Sequence, residues 1–261
     1  MDQIIQQAFK NLTLPDPNSH KGQNGKLLLV GGSELFHAAS KWSLDIASKI
    51  VDMVFYTSVP ENNELIKQAK QNFWNGIVIQ RQEIAKYIVE ADCILIGPGM
   101  DRSENTEKIT NNLLKNYPEK KFVVDAGALQ MVNPKLLNHH HIITPHSREL
   151  EVLKTKNFNP QEFPGVTLIK GQTDQIINQN KIIEITGGNA GMTKGGTGDV
   201  LAGLIAALYC KNDVLTATIT GSYTCKTAGD QLYSRVGPYF NASDLVEEIP
   251  KVLWQKQLSE Q

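Results

Sequence analysis

With 261 residues, 41% of them hydrophobic, the chain is long enough to bury a sizeable core, as one large α/β domain or two small ones. Lysine and arginine total 26 against 27 for aspartate and glutamate, and a net charge of −1 offers no electrostatic reason to expect nucleic acid or an acidic membrane surface as a partner. No apolar run reaches the roughly 18 residues of a membrane span, no signal segment opens the chain, and three scattered cysteines without CxxC spacing fit a reducing compartment, so the expectation is a cytoplasmic protein.

In chain order, strands alternate with helices and no linker or internal repeat interrupts them. Residues 2–12 read as a helix that stops before Pro15 and Pro17. Residues 26–30 form an apolar run closed by Gly31 and Gly32, the pattern of a strand covered on both faces. A helix over 35–50, a strand over 53–57, a helix over 62–71 and a strand over 76–79 come after it. Next are a helix over 83–90, a strand over 93–96, a helix over 106–116, a strand over 122–124 and a short strand at 142–143. Such alternation predicts a parallel sheet with helices on both faces, and ligands then gather at the carboxyl ends of the strands. Gly31-Gly32-Ser33, Gly97-Pro98-Gly99, Asp125-Ala126-Gly127 and Thr144-Pro145-His146 each succeed a strand and should line one rim.

From residue 166 to 185 the pattern turns to three strands, with Gln179-Asn180 as a hairpin connection. Helices over 214–233 and 242–255 close the chain, the second capped by Asn241 or Ser243. Two segments look like sites and read as ordinary structure. Gly22 to Lys26 has too short a spacing for a P-loop and no Ser or Thr after the lysine, so Lys26 is the first residue of a strand. His139, His140 and His141 stand at consecutive positions, which cannot converge on one ion, and read as a surface loop.

The chemistry concentrates between residues 185 and 208, where ITGGNAGMTKGGTGD runs into VLAGLIAAL. Val200, Leu201, Leu204, Ile205 and Leu208 recur at helical spacing with small residues between them, the pattern of a buried helix. Gly195, Gly196, Thr197 and Gly198 precede it, so free N–H groups and a positive helix end converge on one spot that suits a phosphate or a developing anion. Asp199 sits at that spot. A carboxylate there could merely complement the helix dipole, but beside an incoming phosphate it is repulsive unless it has a task such as accepting a hydroxyl proton. Asp199 therefore reads as a general base beside an anion hole.

Other rim residues have two readings each. His146 either satisfies a local group where a helix starts or holds a substrate hydroxyl or phosphate. Glu149, three residues on, either completes a cap or orients Mg²⁺ through water. Lys170, Gly171, Gln172, Thr173 and Asp174 taken alone are a turn that closes a strand.

GGNAGMTKGGTGDVLAGLIAAL resembles the signature of the NAD(P)H-hydrate dehydratase family of the ribokinase-like superfamily. Four segments match in order: KGQNGKLLLVGGS (21–33), ILIGPGM (94–100), ITPHSREL (143–150) and LIKGQTDQII (168–177). The resemblance covers most of the chain, from about residue 21 to ASDLVEEIP, and TPHxxEL followed by KGxxD is its most specific pairing. It implies one ribokinase-like, three-layer α/β domain over residues 1–261, with a mostly parallel central sheet and helices on both faces.

The resemblance also implies an ADP- or ATP-dependent carbon–oxygen lyase that repairs hydrated NAD(P)H, with Mg²⁺ bridging the phosphates. Ala39, Gly99, His146 and Asp199 would contact the substrate. Lys170, Gly171, Gln172, Thr173 and Asp174, completed by Gly198, would hold the AMP part of the nucleotide. Phosphate would pass to the ring hydroxyl and leave as the double bond reforms, with Asp199 taking the hydroxyl proton.

Three positions depart from the family pattern. Ile50-Val51-Asp52 replaces a glycine-alanine-glycine turn, Gly127 replaces the second carboxylate of Asp-Ala-Asp, and a histidine usual in the penultimate helix is absent around Tyr223. A superfamily kinase acting on a vitamin-precursor alcohol would use the same Asp199 and anion hole, and a non-catalytic nucleotide-binding relative would account for the departures. ADP against ATP, NADHX against NADPHX, and the oligomeric state, a homo-oligomer included, stay open in the sequence.

Overall fold

The computed structural model describes residues 3–73 and 75–260, so residue 2 of the expected first helix lies outside the described residues. In chain order the first half comprises α1 (Gln3–Lys10), β1 (Lys26–Val30), α2 (His37–Ala47), β2 (Met53–Thr57), α3 (Pro60–Ala69), β3 (Ile77–Val78), α4 (Ile84–Ile88), β4 (Cys93–Ile96), α5 (Glu104–Asn116) and β5 (Lys121–Val124). The second half comprises α6 (Ala126–Met131), β6 (His141–Ile143), α7 (Ser147–Thr155), β7 (Val166–Ile169), β8 (Asp174–Asn178), β9 (Lys181–Ile185), α8 (Thr197–Tyr209), α9 (Val214–Val236) and α10 (Ala242–Glu260).

The strands pair into one sheet in the order β3-β2-β1-β4-β5-β6-β7-β8-β9. Pairing is parallel as far as β7, and the β7-β8-β9 hairpins run antiparallel. The chain steps outward from β1 to β3 and then returns to place β4 beside β1. That reversal opens a crevice at the carboxyl ends of β1 and β4, the place where an open α/β sheet receives a ligand.

Alternate residues of the inner strands feed two cores. Leu27, Leu29, Cys93 and Leu95 join the apolar faces of α1, α2, α8, α9 and α10 on one side. Leu28, Val30, Ile94 and Ile96 meet Leu113 and Leu114 of α5, Leu129 of α6, and Leu150 and Leu153 of α7 on the other. This double burial explains why the inner strands read as unbroken apolar runs rather than alternating ones. Within α8 every residue from 200 to 209 is buried, between α2, α9 and the sheet. The three-layer expectation holds, and so does the hairpin at Gln179, whose φ is 53°.

Some elements differ from expectation. Helix α6 is too short to show helical periodicity, and it begins at Ala126, whose φ of 46° is unusual for a residue with a side chain. The helix expected over 83–90 is present in shortened form as α4, and a 3₁₀ turn, Arg81–Glu83, closed by a reciprocal cap between Gln80 and Glu83, leads into it. At the start of α10, Asn241 Oδ1 accepts from Ser243 N and Asp244 N, while Ser243 Oγ accepts from the Trp42 indole instead. No helix among the described residues is long and apolar enough to cross a membrane.

The histidine run is corrected at its third member. His141 is not in a surface loop; it opens β6 and is fully buried, with its ring edge-on to Phe122. Its Nδ1 accepts from Asn138 N at 3.0 Å, and among the described residues its Nε2 has no hydrogen-bond partner. Burial, helped by His140 and His139, pushes its pKa down to about 3. Because the unfolded chain protonates this ring near 6.5, its contribution is whole above that pH. The contribution is then lost on acidification toward about 3, at about 1.4 kcal/mol per pH unit. His141→Asn, which keeps an acceptor, should reduce the acid slope of urea-unfolding stability by about that amount. An unchanged slope would show that the ring does not carry it.

Candidate functional site

The rim is built by the segments that leave β5, β6 and β7. Asp125 directly follows β5 and is 1% exposed, and it accepts from Thr144 Oγ1 at 2.8 Å and from Lys170 Nζ at 2.7 Å. Lys170 is held there by its own backbone, because Lys170 N donates to Pro145 O at 2.8 Å and a parallel bridge joins His146 to Lys170. Burial opposes the charge of Lys170, but Asp125, Glu149 and Asp199 around it outweigh burial and hold its ammonium above the usual lysine range.

His146 caps α7. Its Nδ1 accepts from Arg148 N at 3.1 Å and Glu149 N at 3.3 Å, while Glu149 Oε2 accepts from His146 N at 2.9 Å. The capping readings of both residues are therefore realised, with histidine in a place usually taken by Ser or Thr. These bonds make Nδ1 an acceptor, which leaves the proton on Nε2, 3.6 Å from Glu149 Oε2, in a ring that is about half exposed. Glu149 is 5% exposed, and its Oε1 accepts from Gln130 at 3.2 Å.

Asp199 lies in the first turn of α8. Burial, then the charges of Asp125 and Glu149, raise its carboxyl, and Lys170 only partly opposes them; the pKa is pushed up to about 7. The loop before it is shaped for close approach. Gly196 has φ 99°, and a Cβ there would lie 2.3 Å from the Trp42 ring, so no side chain fits. Thr197 Oγ1 ties the loop down by donating to Met192 O and Lys194 O. Among the described residues no acceptor pairs with the N–H groups of Gly195, Gly196 or Gly198. The Lys170 ammonium stands beside Gly198, 3.6 Å from where its Cβ would be. A basic group, unpaired N–H donors and an ammonium thus share one end of α8.

On one side of this end is a cavity of about 540 Å³, lined in part by Lys170, Gly171, Gln172, Asp174 and Gly198. Thr173 is exposed at the tip of the turn. The Asp174 carboxylate is engaged within the protein, accepting from Gly171 N at 3.0 Å and Ser222 Oγ at 2.8 Å. On the other side is the β1/β4 crevice. There Gly99, with φ 72°, is so close to its neighbours that a Cβ would lie 3.0 Å from the Ala39 Cβ and 2.7 Å from Phe36 O. Ala39 and Gly99 thus form one wall, and Asp199 stands between it and the cavity, its backbone carbonyl receiving the Ser43 hydroxyl at 2.7 Å.

The three departures have local explanations. Asp52 fastens the loop after α1 by accepting from Gly22 N and Asn24 N. At Gly127 a Cβ would lie 2.1 Å from Met100 O, so this backbone has no room for a second carboxylate. Tyr223 packs edge-on to Phe9, away from the rim. Sequence reasoning put Asp125 on the rim but gave it no partner, and it did not single out Lys226. The signal for Asp125 was a carboxylate directly after the apolar strand KFVV; for Lys226 it was a lysine among the small, otherwise uncharged residues buried along α9.

The strand order, the three layers and the position of the rim define a ribokinase-like fold. The NAD(P)H-hydrate dehydratase family matches residues 27–251, and this chain belongs to it. A bifunctional NAD(P)H-hydrate repair enzyme of Methanocaldococcus jannaschii is 36% identical over 253 residues, which cover 94% of this chain and 51% of that protein. The chain thus spans about half the length of the bifunctional relatives it matches. An ADP-dependent (S)-NAD(P)H-hydrate dehydratase of Nitrosopumilus maritimus is 30% identical over 261 residues, 90% of each chain. The crystal structure of the ADP/ATP-dependent NAD(P)H-hydrate dehydratase from Bacillus subtilis, co-crystallized with ATP and Mg²⁺, shares the fold with a TM-score of 0.79 at 20% identity over 97% of both chains.

Proposed function

We propose that the chain is an ADP- or ATP-dependent dehydratase of (6S)-NAD(P)H hydrate, a lyase of nicotinamide nucleotide repair working as one domain in the cytoplasm. The observation that carries this reading is Asp199, a carboxyl raised to about 7 beside the unpaired N–H groups of Gly195, Gly196 and Gly198. The nucleotide would occupy the cavity beside Gly171 and Gln172, with its terminal phosphate at the α8 end. The hydrated ring would lie in the crevice against Ala39 and Gly99, with His146 Nε2 donating to it. Asp199 takes the proton of the ring hydroxyl as that oxygen attacks the terminal phosphorus. The loop N–H groups and Lys170 balance charge on the transferring group. Phosphate then leaves with its oxygen, a proton is lost from the neighbouring ring carbon, and that C–H electron pair reforms the carbon–carbon double bond.

Among the described residues no three His, Cys, Asp or Glu side chains could by themselves hold a metal. One buried carboxylate, Glu149, whose oxygens already accept from His146 N and Gln130, suits an ion held mainly by phosphates and water, as Mg²⁺ is in nucleotide sites. Glu149 would contact it through water, and bound there it would offset the phosphate charge.

Incubation with hydrated NADH, Mg²⁺ and either nucleotide should restore reduced-nicotinamide absorbance. No recovery, alongside phosphorylation of a vitamin-precursor alcohol, would favour the kinase reading. Because Asp199 must be ionised to act, kcat/KM should rise through about pH 7 and level off above it. Asp125→Asn removes a charge that raises Asp199 and frees the Lys170 ammonium, so the rising limb should move to lower pH. A limb that stays in place would show that Asp125 does not tune the base.

A further inference from the structure

One face of α9 carries Ser222, Lys226 and Asp230 at intervals of four residues, which places them in a single stripe. That stripe faces the two loops walling the 540 Å³ cavity, the turn at 171–172 and the glycine segment at 187–189. Lys226 is 6% exposed, and its Nζ donates to Gly171 O at 3.0 Å, Gln172 O at 3.0 Å and Gly187 O at 3.1 Å, with Asp174 Oδ1 at 3.3 Å. Ser222 Oγ donates to the other oxygen of Asp174 at 2.8 Å. Asp230 accepts from Gly188 N at 3.0 Å and from Asn189 Nδ2 at 2.9 Å.

An ammonium with three donors and three carbonyl acceptors on two separate loops is more than the neutralisation of Asp174 requires. Gly187 and Gly188 have φ of 108° and 80°, so this loop has wide backbone freedom, and nothing in its own sequence sets its distance from the turn. We infer that Lys226 is a positioning residue of the nucleotide cavity, its ammonium serving as a tethered cation that joins the two walls and sets the gap between them. Its donors are spent on the wall carbonyls, so it acts on the nucleotide through them. Asp230 fixes the backbone N–H direction of the same glycine segment. The inference rests on the cavity being the nucleotide site.

Lys226→Ala should raise the Kd for ADP or ATP, measured by calorimetry on the full chain, by about tenfold or more, the scale of one lost charge-assisted contact. KM for the nucleotide should rise in step, while kcat at saturation and the pH limb set by Asp199 stay near wild type. Ammonium ions added at constant ionic strength should lower the raised Kd, because the four oxygens again surround a cation of the same chemistry. The bulky tetramethylammonium ion should not. Asp230→Asn, a milder change, should raise Kd several-fold without loss of folding and serves if Lys226→Ala does not fold.

An unchanged Kd in both variants overturns the inference, as does a fall in kcat with Kd constant, or a raised Kd that ammonium does not lower. A wild-type chain that binds no adenine nucleotide would instead defeat the functional reading beneath it, so the two failures are told apart.

Discussion

Asp199→Asn is expected to lower turnover by roughly 10² to 10⁴, the usual contribution of a positioned general base, while nucleotide affinity holds or improves. The amide keeps the shape of the side chain and cannot take a proton. It also removes a negative charge from beside the phosphates, which is why affinity has no reason to fall. If the carboxylate only complemented the α8 dipole, asparagine would serve nearly as well and turnover would stay close to wild type, with a small loss of stability. Single-turnover kinetics and nucleotide titration on the same preparation separate the two outcomes.

The second large effect is expected at Lys170. Lys170→Met leaves Asp125, 1% exposed, with the Thr144 hydroxyl as its remaining side-chain partner, and breaking a buried ion pair from one side typically costs about 3–5 kcal/mol. The chain should therefore unfold at clearly lower denaturant. Adding Asp125→Asn should restore much of the loss, because no buried charge is then left uncompensated. The same single substitution removes the cation that holds Asp199 down, so any residual activity should need higher pH, the opposite of the shift expected for Asp125→Asn. Equal stability of the single and double variants would show that the pair is not what holds this rim.

How much of the fold and site is legible in the sequence depends on which physics is local. The strands announce themselves as apolar runs ended by Gly31, Gly97 and Thr144, and parallel order then puts those ends on one rim. The glycine loop and α8 are readable because backbone freedom, a helix end and an acid fall within one short stretch. The pairing of Lys170 with Asp125 joins residues 45 apart, and Lys226 reaches carbonyls 55 and 39 residues away, so only the folded sheet brings them together. His141 is misplaced by sequence reasoning for the same reason: its burial depends on β5 and on Phe122, which its neighbours in the chain do not disclose. His146 and Glu149 each have two readings in the sequence, cap or ligand contact, and the reciprocal cap between them realises the first.

Phosphoryl transfer to the substrate hydroxyl, with Asp199 as base, is the step that drives the loss of that hydroxyl in the proposed reaction. The most direct measurement is the phosphate balance. The chain is incubated with hydrated NADH, Mg²⁺ and a limiting amount of ADP or ATP, and inorganic phosphate released is compared with NADH regenerated. Equal amounts of the two are expected, with the nucleotide shortened by one phosphate, and neither product above background from Asp199→Asn. Recovery of NADH without phosphate release, or a phosphorylated nicotinamide that accumulates and does not collapse to NADH, would contradict this mechanism.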